Sequence, residues 1–376
     1  GTRWEFLSEA LAQMRAIRSV GAGHSWVGRF REMSGKAVMA KYRDQQLHAR
    51  IGSFAQILGM STGLLALAAS AFLAIQGDLT GGALLATMMI VWRLTGPMQS
   101  IFMATSSLAQ FRGQMRQIEN LMKLPGEYGT GTRQTIRPDM SGSLSFSRVS
   151  FRYSNDADPA LLGVDMAIKA GQVLVIAGPN GSGKSTLLKM IIRLYVPQAG
   201  TIRMDNVDIR QLNAADLRAR ISYMPQDCDV FYGTVVQNLR LVHPAATDAE
   251  VKWALDMAGL TEDIKAMPRG FENRISGSHS EQLPNGFLQR LSLARTILKP
   301  ASIMLFDEPG SGMDQAGEEA LLRCIEWLRG RATVLIVSHR PGHAKLADNV
   351  IYMEQGAIVA QGTFDQIKSK LLTELR

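Results

Sequence analysis

Apolar positions follow two different rhythms along this chain. Within residues 1–50, Trp4, Leu7, Leu11, Met14 and Ile17 recur at three- and four-residue steps, the period of a helix. Arg15, Arg18, Arg29, Arg31, Lys36, Lys41, Arg43 and Arg50 make the same stretch basic. Residues 51–77 then contain no charged side chain, a run long enough to cross about 30 Å of hydrocarbon as a helix. Residues 76–82 are turn-like and hold neither Lys nor Arg, and a second apolar stretch over 83–108 is interrupted by Arg93 and Pro97. Basic residues return at Arg112, Arg116 and Lys123. Basic, apolar, turn, apolar, basic predicts a helical hairpin of two spans (51–77 and 83–108), with both ends on the cytoplasmic side. The competing arrangement, a buried hairpin of a soluble protein, is disfavoured because an uncharged run of this length rarely stays inside a soluble core. Arg93 would lie within the membrane, where a charge faces a partner or a cavity; a packing role and a role on a substrate path both stay open.

The second rhythm begins after a Gly-, Thr- and Pro-rich stretch at 125–142, read as a linker. Leu144, Phe146, Phe151 and Tyr153 suggest an alternating strand. Short β-rich runs at 172–177, 221–223, 303–306 and 334–337 are separated by helical stretches. Such alternation predicts a largely parallel sheet with helices packed on it. At 376 residues the chain suits two units, 1–124 and 143–376, joined by that linker. The formal charge of +8 would suit nucleic acid, but the basic residues are spread out and many flank apolar runs, so no nucleic-acid partner is expected. Cys228 and Cys324, the two cysteines, lack ligand-like spacing and suggest a reduced compartment, not a disulfide framework or a zinc site. The first residues carry Arg3, Glu5 and Glu9 in place of a basic head and apolar run, so no signal peptide is expected. The opening at Gly1, mid-helix by pattern, suggests a piece of a longer protein.

The strongest chemical signal is Gly178, Pro179, Asn180, Gly181, Ser182, Gly183, Lys184, Ser185 and Thr186, which fits G-x-x-x-x-G-K-[ST] between a predicted strand (172–177) and a predicted helix (186–195). Glycines let backbone N–H groups close around phosphates. Lys184 supplies the opposing charge for the β- and γ-phosphates, Ser185 a hydroxyl for Mg²⁺, and the helix its positive dipole end. The second signal is an apolar strand ending in Asp307 and Glu308: one carboxylate to hold Mg²⁺, the next to polarise the attacking water. Strands often end in Asp, so this pair carries weight only in company with the phosphate loop. His339, just past the run 334–337, could reach the γ-phosphate, although a lone His at a strand end is usually structural.

Six elements in sequence order then resemble an ABC ATPase domain over residues 143–369: the phosphate loop, Met224-Pro225-Gln226-Asp227, the stretch 283–290, Asp307-Glu308, Ser311-Gly312-Met313-Asp314, and Ser338-His339. The resemblance implies an α/β P-loop NTPase domain with a helical subdomain, using ATP and Mg²⁺. Residues 9–23 are similar to the intracellular coupling segment before the fifth span of an ABC exporter, and the two spans resemble the fifth and sixth. Residues 93–97 and 339–348 look most like type I secretion exporters. The same resemblance implies that Tyr153 stacks on adenine (a buried strand tyrosine is the plainer alternative). It implies that Gln226 contacts Mg²⁺ and senses the membrane domain, that Asp314 communicates between paired domains, and that His339 is a switch histidine at the γ-phosphate. It further implies a multi-pass subunit of the cytoplasmic (inner) membrane, a lipid-membrane environment, a second half-transporter as partner, and a membrane-fusion protein if secretion is its task.

One element departs from the family. Leu283, Pro284, Asn285, Gly286 and Phe287 stand where the family signature reads LSGGQ. Pro284 has neither a serine hydroxyl nor an N–H, Asn285 adds bulk where glycine would admit ATP, and Ser278 replaces a glutamate a few residues upstream. Losing such donors costs about 10²–10³ in rate. An intact loop and carboxylates beside a damaged signature favour a heterodimer over a homodimer. Two other readings compete: a regulatory subunit that binds ATP with little hydrolysis, and a soluble ABC ATPase of DNA repair or translation, which the apolar spans oppose.

Overall fold

The computed structural model describes residues 2–76, 80–123, 140–154, 156–275 and 283–373. The chain divides into two compact units, Gly1–Pro125 and Gly126–Arg376. The stretch read as a linker lies, up to residue 139, outside the described residues, as do Ser278 and the turn residues 77–79.

The first unit is helical: α1 (Thr2–Ala12), α2 (Met14–Ser19), α3 (Gly23–Ile75) and α4 (Gly81–Met122). The apolar period read in residues 1–17 does form helices, yet of its members Ile17 is buried while Trp4 and Leu11 stay exposed. The basic stretch and the first apolar run are not separate elements. From Arg29 to Arg50 the basic residues share one helix of 53 residues with the apolar run, because no proline falls between them, while Arg15 and Arg18 lie in α2. Among the described residues α3 is the helix long and apolar enough to cross a membrane, and α4 contributes a shorter apolar segment, Gly81–Val91. Pro97 sits inside α4 without ending it. Thr80 caps α4, its hydroxyl accepting the Ala83 N–H. Within the unit α3 and α4 approach closely at Gly63, where an added Cβ would stand 3.4 Å from Val91. Phe54, Ile57, Leu64, Leu65 and Phe72 of α3 and Leu85, Met89 and Ile90 of α4 are exposed. An apolar surface this continuous needs lipid or further helices against it.

The second unit is built on a six-stranded sheet ordered β12-β11-β3-β10-β9-β6. Its strands are β3 (Val173–Ala177), β6 (Ile221–Met224), β9 (Ile303–Asp307), β10 (Thr333–Val337), β11 (Asn349–Glu354) and β12 (Ala357–Gly362). All pair in parallel except the edge strand β12. The sequence points to β3, β6, β9 and β10, which are largely apolar because both faces are buried; among the buried polar exceptions, Ser222 of β6 and Thr333 of β10 are hydrogen-bonded. On one face Val175, Phe306 and Ile336 join a core shared with α7 (Val235–Arg240), α8 (Asp248–Met257), α9 (Thr261–Lys265), α10 (Asn285–Leu298) and α11 (Gln315–Leu328). On the other, Ile176, Leu305 and Leu335 pack with α5 (Lys184–Ile191) and with an antiparallel sheet. That second sheet, ordered β2-β1-β4-β5, contains β1 (Leu144–Phe151), β2 (Leu161–Ile168), β4 (Ala199–Met204) and β5 (Val207–Asp208). The remaining elements are α6 (Ala214–Ala219), the two-residue strands β7 (Gly233–Thr234) and β8 (Arg274–Ile275), α12 (Pro341–Leu346), α13 (Phe364–Thr373) and two 3-10 turns at Ile209–Gln211 and Gly270–Glu272.

Three local expectations need correction. Phe146 and Phe151, five residues apart, should face opposite sides of a regular strand, yet both are buried. The register of β1 shifts on either side of Val149, and Arg148 takes φ 47°, so a bulge resets the alternation. Tyr153 lies beyond the end of β1 and is half-exposed, so it is not the buried strand tyrosine of the plainer alternative. The helix read at 186–195 is α5, which starts two residues earlier at Lys184 and ends at Ile191.

Candidate functional site

Register places the chemistry at one edge. Val337 of β10 stands opposite Ile176 of β3 and Asp307 of β9, and Phe306 opposite Met224 of β6. The residues leaving these four strands therefore emerge side by side at the carboxyl edge of the parallel sheet, where α/β folds bind ligands. They are Gly178 after β3, Gln226 after β6, Glu308 after β9, and Ser338 and His339 after β10.

Two glycines of the phosphate loop are required by space. A Cβ on Gly178 would meet the Met353 carbonyl at 2.0 Å, and one on Gly183 the Ala160 carbonyl at 2.2 Å, both at positive φ. Asn180 and Gly181 form the exposed tip, and nothing lies within 4 Å of a Cβ on Gly181. Lys184, at the first turn of α5, is buried and donates to the Gly178 and Pro179 carbonyls at 2.6 and 2.8 Å. Among the described residues the buried Ser182 hydroxyl has no hydrogen-bond partner, an orphan that a phosphate oxygen would satisfy. Thr186 shares a 2.9 Å hydrogen bond with the Tyr153 hydroxyl. The Tyr153 ring stands edge-on to Phe151 and Tyr195, with centroids 5.1 Å from each.

Ser185 donates to Asp307 Oδ1 at 2.7 Å, and Tyr223 donates to Asp307 Oδ2 at 3.1 Å. Burial, then the Asp307 charge, pushes the Tyr223 phenol well above its ordinary range, so it stays a donor. Tyr223 is a site residue that the sequence analysis does not single out, although its place in β6, three residues before Gln226, could have flagged it. The Ser185 hydroxyl and the Asp307 carboxylate are hard oxygen donors already within a hydrogen bond of each other, which fits a magnesium ion. Among the described residues no group of three His, Cys, Asp or Glu could hold a metal alone. Magnesium in phosphate sites draws most of its ligands from water and phosphate, so the fit stands.

Glu308 is bracketed. Gln226 donates its amide to Oε2 at 2.9 Å, and His339 Nε2 lies 3.6 Å from Oε1. Gln226 thus meets Glu308 here, while Asp307 is held by Ser185 and Tyr223. Glu308 also adopts φ 50°, a left-handed conformation costing on the order of 1–3 kcal/mol for a side chain of this type. Two backbone hydrogen bonds over-determine it: Glu308 N to the Val337 carbonyl and Ser311 N to the Glu308 carbonyl, both 3.0 Å.

The altered signature opens α10. Pro284 is its N-cap and offers no side-chain cap, Asn285 is the first helical residue and exposed, and Gly286 packs near Asp314. Asp314 caps α11, accepting the Gly317 N–H at 2.8 Å. Phe287, read as the replacement for a glutamine, is buried in the apolar core shared with the sheet, beside partly buried Leu283. A glutamine at 287 would bury an amide among apolar side chains.

Residues 161–311 match the ABC transporter family. The ATP-dependent lipid A-core flippase of Neisseria meningitidis is 35% identical over 274 residues, 73% of this chain and 42% of the relative. The alpha-hemolysin translocation ATP-binding protein HlyB of Escherichia coli is 28% identical over 366 residues, 97% of this chain and 51% of the relative. A solved bacterial Atm1-family ABC exporter with ATP bound superposes with a TM-score of 0.89 at 24% identity, covering 100% of this chain and 66% of that one. The chain therefore spans about half the length of the curated relatives it matches. The chain carries an ABC transporter domain, the ATPase domain of that family, together with a helical region, and its fold is that of an ABC exporter.

Proposed function

We propose that this chain is the ATP-hydrolysing part of an ABC exporter subunit that moves a substrate across the cytoplasmic membrane. The observation that carries the reading is the joint at the sheet edge: the phosphate-loop Ser185 bonded to Asp307, with Glu308 next along the chain between Gln226 and His339. In this reading Lys184, the loop N–H groups and the Ser182 hydroxyl hold the phosphates, with the N-terminus of α5 behind them. Ser185, Asp307 and Gln226 would hold Mg²⁺, which when bound neutralises phosphate charge. Glu308 orients the attacking water and takes up its proton, and His339 steadies the Glu308 carboxylate and the γ-phosphate. Tyr153 is half-exposed, leaving area available to an adenine.

The exposed apolar faces of α3 and α4 support a membrane location, with residues 78–82 outside and both flanks in the cytoplasm. A single cysteine at Thr80 should react with a membrane-impermeant thiol reagent in intact cells, in a background lacking Cys228 and Cys324. Labelling that needs lysis would overturn this topology. The substitution removes a helix cap worth about 1 kcal/mol, too little to unfold a helix of this length.

As for cargo, the likeness of residues 93–97 and 339–348 to type I secretion exporters supports a protein or peptide, with a membrane-fusion protein as further partner. The decisive partner is a second half-transporter. Pro284 begins α10 without an N–H or hydroxyl to offer, so a pair of these chains would present two weak signature faces. A partner with an intact signature would complete one good site. The restoring change is Pro284→Ser with Asn285→Gly, leaving the buried Phe287 in place. Steady-state phosphate release by the lone chain should rise on the order of 10²-fold in that variant. Brisk hydrolysis by the unaltered chain alone, unchanged on restoration, would defeat the heterodimer reading. No hydrolysis even beside an intact-signature partner would favour the regulatory subunit instead.

A further inference from the structure

His343, on the short helix α12, is fully buried and has no part in the site described above. Its Nδ1 lies 2.7 Å from the Ser338 hydroxyl and its Nε2 lies 2.8 Å from Glu318 Oε1. Glu318, in the first turn of α11, accepts a second bond at Oε2 from Arg340 Nη1. The Arg340 backbone N–H returns to Ser338 Oγ at 3.1 Å, and Arg340 Nη2 donates to the Gly310 carbonyl. The four residues close a ring.

Its donors and acceptors run in one consistent sense. An ionised Glu318 only accepts, so His343 carries its proton on Nε2 and leaves Nδ1 bare. Ser338 then donates to Nδ1 and accepts from the Arg340 N–H. Burial, outweighing the Glu318 charge, lowers the imidazole pKa below its usual value, which suits this neutral tautomer. Arg340 and Glu318 are the charged groups facing the ring.

His339 sits between Ser338 and Arg340, both of which are ring members. Gly310, whose carbonyl Arg340 holds, is two residues beyond Glu308. The position is tight: a Cβ on Gly310 would stand 2.9 Å from the Arg340 guanidinium. The ring therefore grips the chain on both sides of His339 and just after Glu308, and the 3.6 Å separation of those two side chains is what it fixes.

We propose that His343 is a positioning residue for ATP hydrolysis: through Ser338, Glu318 and Arg340 it holds His339 in register with Glu308, without itself touching nucleotide. The proposal rests on the ATPase reading given above.

The test uses the full chain in detergent with the partner that gives measurable turnover. His343→Leu keeps the bulk and removes both hydrogen bonds. It should lower kcat about tenfold or more while leaving KM for ATP and the nucleotide dissociation constant within twofold. His343→Gln, which keeps a donor toward Glu318, should recover most of that loss. Glu318→Gln breaks the ring from the opposite side and should lower kcat alone in the same way. The double variant should fall no further than the worse single, as members of one network do. Should His343→Leu not fold, Glu318→Gln and His343→Gln carry the same comparison. Wild-type kcat in His343→Leu, additive losses in the double variant, or a rise in KM matching the fall in kcat would each overturn the positioning role. Those outcomes are distinct from failure of the ATPase reading, in which turnover would survive Lys184→Ala, and that result would overturn both.

Discussion

Glu308→Gln should stop ATP turnover while leaving ATP binding intact. The amide keeps the length and volume of the carboxylate, so it can occupy the gap between Gln226 and His339 and tolerate the same φ of 50°. What it loses is the capacity to accept a proton from water and the negative charge that polarises it. General base catalysis contributes typically 10²–10⁴-fold, and a decline of that size in phosphate release is expected. Nucleotide affinity should hold, since Glu308 points at His339 and Gln226 and the phosphate loop is untouched. Steady-state phosphate release and nucleotide binding, measured on the same preparation, separate the two quantities. Turnover near the original rate would remove Glu308 from the catalytic role, and lost binding would reassign it to a structural one.

Lys184→Ala should abolish nucleotide binding. The lysine is buried at the first turn of α5 and in this structure straps the loop through the Gly178 and Pro179 carbonyls. Alanine therefore removes the charge that faces the β- and γ-phosphates and, with it, the strap that shapes the loop. Hydrogen bonds to charged groups are worth about 1.5–3 kcal/mol each, so losing two weakens ATP by on the order of 10²-fold or more. Arginine would not rescue it, because a planar fork does not fit a cradle closed around a compact ammonium. Titration with a fluorescent ATP analogue measures the loss, and wild-type affinity would sink the assignment of the whole loop.

The phosphate loop was legible because its constraint is local. Glycines, Lys184 and Ser185 serve one tight turn between a strand and a helix, and all lie within nine residues. The four parallel strands were legible for a related reason: burial on both faces makes them largely apolar, with Ser222 the polar exception in β6. The bulge that brings Phe146 and Phe151 to one side has no such signature, since Arg148 can take φ 47° only because the paired strands hold it there. Phe287 read as a damaged ligand position, and only the packing of α10 against the sheet shows that it serves the core. His343 lay inside a stretch noticed for its likeness to secretion exporters, yet its buried partner Glu318 is on another helix, and no spacing rule joins them. Side-chain rings across separate elements are properties of the fold.

The unbroken length of α3 has a mechanical consequence. At 1.5 Å per residue its 53 residues make a rod of about 80 Å, more than twice the thickness of a hydrocarbon core. Among those residues there is no proline to act as a joint, and the helix is continuous even through Ser34-Gly35 and Gly52-Ser53, pairs of the kind at which long helices kink. A tilt of a few degrees at the Gly23 end therefore becomes a displacement of several ångströms at the Ile75 end, without any local unfolding between. Such a rod behaves as a lever that trades small angular movements in the basic half for long strokes in the apolar half.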